Sequence, residues 1–108
     1  MKDLSKAEEM ILLTIMRLKD NAYGVAVKKE LQKIVNKEYT YGTLYGLFDQ
    51  LVQKEYVYKI KGGPTPERGG KSKTFYRLTP EGLQALKNSL EVHQKIWQGI
   101  DKLSLGEA

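Results

Sequence analysis

Between Tyr56 and Leu78 the chain has little choice of conformation. Gly62-Gly63-Pro64-Thr65-Pro66-Glu67-Arg68-Gly69-Gly70-Lys71-Ser72-Lys73 contains two glycine pairs and two prolines, which mark a loop. Tyr56–Lys61 before it sets Val57 and Ile60 among tyrosines and lysines, and Thr74–Leu78 after it alternates through Phe75, Tyr76 and Leu78. Aromatic and β-branched runs of this kind suit a pleated surface. Two of them around a turn-rich loop predict a β-hairpin.

Three helical segments precede the hairpin. Leu4–Leu18 predicts the first, with Ser5 as cap, Glu8 completing a capping box, and Ile11, Leu12, Ile15 and Met16 on the core side. Asp20-Asn21 interrupts the pattern. Gly24–Val35 predicts the second, with Val25, Leu31, Ile34 and Val35 buried and Lys28, Lys29 and Lys33 outward. The third is expected from Thr40 to about Glu55, capped by Thr40. Its apolar arc is Leu44, Leu47, Phe48, Leu51 and Val52, with Tyr41 and Tyr45 at the border. After the hairpin, Thr79-Pro80-Glu81 combines a hydroxyl cap, an early proline and an acid near the positive dipole end. The helix it opens is expected to reach about Leu103.

Composition narrows the class. At 108 residues, with 41% hydrophobic and 29% charged side chains, the chain predicts one ordinary globular domain. It has no cysteine, which removes disulfides and thiolate metal sites and suits a reducing cytoplasm. No apolar run reaches the roughly 20 residues of a membrane span, and the N-terminal segment does not read as a signal peptide. The positive charge is localised. Lys59, Lys61, Arg68, Lys71, Lys73 and Arg77 face only Glu67 between residues 56 and 77, whereas the chain's formal net charge is +5. One reading is a solubilising loop; the other is a phosphate-contacting patch.

Three helices followed by a basic hairpin predict a winged helix-turn-helix: mainly helical α+β, with a two-stranded wing and a long C-terminal helix. Residues 1–78 would form the DNA-binding part, and residues 79–108 a dimerisation helix packed on the same domain. The third helix suits the major groove. Gly42 and Gly46 lie one turn apart on its polar face, where glycine costs roughly 0.8–1 kcal/mol relative to alanine. Close approach to a DNA strand explains such a stripe. The alternative is that Gly42 belongs to the helix start and Gly46 packs on a neighbour. Gln50 and Gln53 extend the face and suit adenine, Thr43 and Tyr45 suit phosphate, and the cap Thr40 joins them as a DNA-binding candidate, with Asp49 as a counter-signal because an acid facing phosphate is unfavourable. In the wing, Gly62 would allow backbone approach, Arg68 would reach a minor groove, and Lys71 and Lys73 would project to one side.

In the last helix Leu83, Leu86, Leu90, His93, Trp97 and Ile100 follow a heptad-like 3-4-3-4-3 spacing, predicting a homodimer seam. The alternative is that the helix folds wholly onto its own domain. His93, the single histidine, reads as structural, with no second ligand to complete a transition-metal site. Trp97, the single tryptophan, is either core or, with His93, the wall of a pocket for a small planar aromatic effector. No catalytic constellation and no cofactor motif stands out. A winged-helix protein-interaction module and a ligand-sequestering protein are the alternative functions.

The chain also resembles the PadR family of bacterial transcriptional regulators. The matching stretches are Asn21-Ala22-Tyr23-Gly24, Gly42-Thr43-Leu44-Tyr45, Pro64-Thr65-Pro66-Glu67-Arg68-Gly69-Gly70 and Tyr76-Arg77-Leu78-Thr79-Pro80-Glu81-Gly82. The resemblance implies a dimeric repressor of duplex DNA. It also implies a compact branch in which one C-terminal helix dimerises and paired tryptophans, here Trp97, hold planar aromatic drugs. Gly46, Glu55 and Ser72 depart from the family's usual pattern, Glu55 standing where glycine often ends the third helix.

Overall fold

The computed structural model describes residues 3–64, 72–100 and 105–106. Helix α1 (Lys6–Leu18) leads through a 3-10 turn (Lys19–Asn21) to α2 (Gly24–Val35) and α3 (Tyr41–Gln53). Strands β1 (Val57–Pro64) and β2 (Ser72–Leu78) form an antiparallel pair, and α4 (Pro80–Trp97) follows. The predicted winged helix-turn-helix is the fold found.

Helix α1 starts at Lys6 because Ser5 keeps an extended backbone and caps it. The Ser5 Oγ accepts from the Glu8 amide at 3.1 Å, and Glu8 Oε1 accepts from the Ser5 amide at 2.8 Å. Glu8 is buried and also takes Lys54 Nζ at 2.8 Å, which ties α1 to the residue capping the end of α3. Burial works to raise the Glu8 carboxyl. The Lys54 ammonium and the Ser5 hydrogen bonds outweigh it and hold the group below its ordinary value.

Helix α2 has the expected bounds but a different buried side. Val27 and Leu31 enter the core, whereas Ile34 and Val35 are exposed. The last turn of α2 flanks an open groove with Met10, Leu13 and Arg17 of α1. Asn36, in the left-handed region at φ 53°, stops the helix. Helix α3 ends two residues earlier than expected. The Tyr56 amide bonds the Leu51 carbonyl, the Glu55 amide bonds the Val52 carbonyl, and Glu55 stands at φ 64°. This is a Schellman arrangement at whose turning residue glycine is the unstrained choice.

The strands extend further toward the tip than predicted. Val57 pairs with Leu78 and Lys61 with Thr74, and after an irregularity Pro64 pairs with Ser72. The segment before α2 joins them. The Tyr76 amide donates to the Ala22 carbonyl at 2.8 Å, and Tyr23 bridges Phe75. The root of the hairpin is thereby fastened to the start of α2.

The core contains Ile11, Leu12 and Ile15 of α1, Leu44, Phe48 and Leu51 of α3, and Tyr76 of β2. Phe48 stacks on Tyr76 with centroids 4.1 Å apart. Ala85 and Leu86 join this core from α4, so Leu86 faces its own domain. Helix α4 stops at Trp97, short of the expected Leu103. Gln98 leaves the helical region and Gly99 takes φ 84°, so the chain turns out of the helix. Ile100 therefore lies beyond the helix, while Leu103 falls outside the described residues.

Candidate nucleic-acid interface

The start of α3 is built by its cap. Thr40 Oγ1 accepts from the Thr43 amide at 3.2 Å and donates to Thr43 Oγ1 at 3.0 Å. The Thr43 hydroxyl proton is left to donate elsewhere. Thr40, Tyr41, Gly42 and Thr43 are all exposed, as are Gly46, Asp49, Gln50 and Gln53 along the same helix.

The two glycines of this face stand in open space. A Cβ built on Gly42 or Gly46 meets no atom within 4 Å. Gly42 is the second residue of α3 and so belongs to the helix start, as the alternative had it. Gly46 is interior, and among the described residues a side chain there would pack on no neighbouring helix, against the other half of that alternative.

Three other glycines are explained by close neighbours. A Cβ on Gly24 would lie 2.2 Å from the Tyr45 hydroxyl. Tyr45 is therefore half-buried between α2 and α3, stacked on Tyr41 and edge-on to Phe48. Its ring fixes how the two helices meet. A Cβ on Gly62 would strike the Phe75 ring at 2.3 Å, so packing within the wing by itself requires a glycine there. A Cβ on Gly82 would strike the Tyr56 carbonyl at 2.2 Å.

The basic segment divides. Lys59 and Lys61 are exposed on β1. Lys73 is half-buried, its Nζ 3.9 Å from the centre of the Tyr23 ring. Arg77 is engaged with Asp20 at the root of the wing. Arg68 and Lys71 lie outside the described residues. Sequence reasoning passed over the cation–aromatic pairs, among them Lys28 of α2 with Nζ 5.4 Å from the centre of the Tyr41 ring. A tyrosine directly after a threonine cap was the available signal. The field at this surface is permissive for anions. Helices α2 and α3 carry no acid in their first turns, whereas α1 has Glu8 and Glu9 and α4 has Glu81.

On the opposite side, α1 and α4 border an open apolar groove. Leu13 and Met16 face Leu83 and Leu90 across it, with Leu86 as its floor. Glu9 bonds the Ser89 hydroxyl at the rim and lies 3.7 Å from His93 Nε2. Beyond Leu90, where His93 still meets Glu9, Val92, Ile96 and Trp97 are all at least half exposed. Of the expected seam residues, Leu83, Leu90 and Trp97 are exposed apolar side chains on α4, Leu86 is in the core, and Ile100 is off the helix. No helix among the described residues is long and apolar enough to cross a membrane.

Comparison with known proteins agrees with this geometry. The chain superposes on H. salinarum RosR with a TM-score of 0.71 and 29% identity, covering 94% of this chain and 84% of that one. A PadR family transcriptional regulator from Eggerthella lenta matches at 0.68 and 26%, over 90% and 82% of the two chains. A transcriptional regulator from Clostridium thermocellum matches at 0.68 and 25%, over 88% and 89%. No curated protein sequence matches the chain. The profile of the transcriptional regulator PadR-like family matches residues 12–88. The chain belongs to the PadR-like family of transcriptional regulators.

Proposed function

We propose that this chain is a homodimeric, sequence-specific DNA-binding repressor, with α3 in the major groove and the hairpin along the backbone. The carrying observation is the bare stripe of Gly42 and Gly46 on the capped, acid-free start of α3. Two positions without a Cβ, one turn apart, let the backbone of the first two turns come close to a partner, and the flanking Thr43 and Gln50 suit phosphate and base edges. Lys73, Arg68 and Lys71 of the wing would supply sequence-independent affinity. Residues 1–78 form the DNA-binding part in this reading, and residues 79–108 hold a second copy through Leu83, Leu90 and Trp97.

The test is a binding series against the protein's own promoter and against random duplex, over rising salt. Affinity should fall linearly with salt on logarithmic axes for both, with the promoter bound roughly 10³-fold or more tighter. Equal affinity for the two duplexes removes the claim of sequence specificity. Lys71→Ala should weaken all duplexes alike, and Gln50→Ala should change the preferred sequence. Repression itself is read from a promoter fusion whose output rises when the regulator is deleted.

A second reading adds a small planar aromatic effector stacked on Trp97 near His93. The exposed Trp97 ring at the free end of α4 favours it. Quenching of its fluorescence by planar aromatics, together with a drop in promoter affinity, is the expected result. Quenching without that drop points to sequestration.

A further inference from the structure

Lys28 and Tyr41 are the two side chains at the α2–α3 corner that the wing and the glycine stripe leave unused. Lys28 is half-buried and Tyr41 is exposed. Among the described residues, neither the Lys28 ammonium nor the Tyr41 hydroxyl has a hydrogen-bond or ion-pair partner. Each is nonetheless held in place. Tyr41 stacks on Tyr45 at 6.2 Å between centroids and 26° between planes, and Tyr45 is wedged against Gly24 and Phe48. Lys28 rests over the Tyr41 ring. A cation over an aromatic face keeps its charge and its N–H donors while losing rotamer freedom.

The placement selects the ligand. On the α3 wheel, Gly42, Gly46 and Gln53 mark the central exposed stripe, Thr43 and Gln50 one flank, and Tyr41 the flank next to α2, with Asp49 between it and the stripe. When a recognition helix enters the major groove, the helix before it crosses the backbone of the duplex. A lysine is a compact point charge for phosphate, and a tyrosine hydroxyl donates to it readily.

We infer that Lys28 and Tyr41 form one phosphate-binding contact on the α2 side of the groove, which sets the depth and register of α3. The inference rests on the DNA-binding reading above. The ammonium neutralises the phosphate, and the Tyr41 hydroxyl donates to a second oxygen of the same group. Tyr45 and Gly24 act behind them, by holding the Tyr41 ring.

Anisotropy of a labelled random-sequence 30-base-pair duplex tests this, because phosphate contacts do not depend on sequence. The full chain, Lys28→Ala, Tyr41→Phe and the double variant are titrated between about 50 and 200 mM salt. Lys95→Ala, on the exposed face of α4, serves as a charge-matched comparison. Lys28→Ala should lower the salt slope by about 0.9 per subunit. Tyr41→Phe should weaken binding about tenfold with the slope unchanged, since it removes a hydrogen bond to a charged group and no charge. The double variant should lose less than the product of the two single losses, because both side chains serve one phosphate. Lys95→Ala should match the unsubstituted chain. Either single variant binding with the parent's affinity and slope overturns the contact, as does a double variant whose losses multiply. If the unsubstituted chain shows no salt-dependent duplex binding, the DNA-binding reading fails first, so the two failures are separable.

Discussion

Helices α3 and α4 are both amphipathic, yet they leave opposite kinds of surface behind. The inward stripe of α3 is fully used, with Leu44, Phe48 and Leu51 at 0% exposure. What remains outside is mostly glycine, amide and hydroxyl, with Asp49 the one acid among them. Helix α4 uses only its first turns, through Gly82, Ala85 and Leu86, and leaves Leu90, Val92, Ile96 and Trp97 in water. A spent apolar face with a bare polar back suits a hydrated polyanion. Apolar side chains left in water on two stripes, Leu90 with Trp97 and Val92 with Ile96, suit another protein surface better than solvent.

That contrast can be broken at several points. The largest effect is expected at Phe48. Phe48→Ala empties the space between Tyr45 and Tyr76 and should cost about 3–5 kcal/mol, read as a fall in the unfolding midpoint. A small change there would mean that the α3 stripe is not the centre of the core. Leu90→Lys should spare the fold of the subunit and weaken association by about 2–3 kcal/mol, the value of burying one leucine. Sedimentation at graded concentration measures it, and an unchanged oligomeric state would place the second copy elsewhere.

Gly46→Ala divides stability from binding most sharply. With nothing within 4 Å of the new methyl group, stability should rise by up to about 1 kcal/mol. Duplex affinity should fall in the same protein. A variant that is more stable and binds equally well would leave the glycine without a role at the interface. The smallest effect concerns Glu8, whose folded-state carboxyl lies below its ordinary value of 4.5. Its contribution is present above that ordinary value and is lost as pH falls through the folded one. Stability should therefore decline as the solution is acidified below about pH 4.5, and Glu8→Gln should flatten the decline. A decline of the same steepness in that variant would assign it to other carboxylates.

Much of this was legible in the chain because the signals were local. The Ser5–Glu8 capping box and the Thr40 and Thr79 caps each act within four residues. The glycine–proline loop announced the hairpin for the same reason. Elsewhere a distant neighbour decided. Val27 is buried and Ile34 is not, because coverage depends on where α1 passes over α2, which periodicity does not encode. The apolar spacing continuing through Ile100 and Leu103 masked the Gln98-Gly99 stop. At the candidate interface, Gly42 and Gly46 were readable as a pattern. Gly24, Gly62 and Gly82 had reasons that lay in Tyr45, Phe75 and the Tyr56 carbonyl, all 13 or more positions away. The pairing of Tyr23 with Phe75 is likewise tertiary and has no trace in local sequence.

The joint between α4 and the end of α3 has a mechanical consequence. Thr79 caps α4, donates its hydroxyl to the Glu55 carbonyl at 2.6 Å and bonds the Tyr56 carbonyl through its amide at 3.0 Å. Gly82 sits too close to that same carbonyl to leave slack. The 18-residue α4, about 27 Å long, is therefore welded to the end of α3 as a lever arm. In a two-fold dimer held by that arm, a few degrees of scissoring at its far end changes the span between two α3 helices. The spacing of DNA half-sites, one helical turn or about 34 Å, is then set by the crossing angle of the arms rather than by any residue that touches a base.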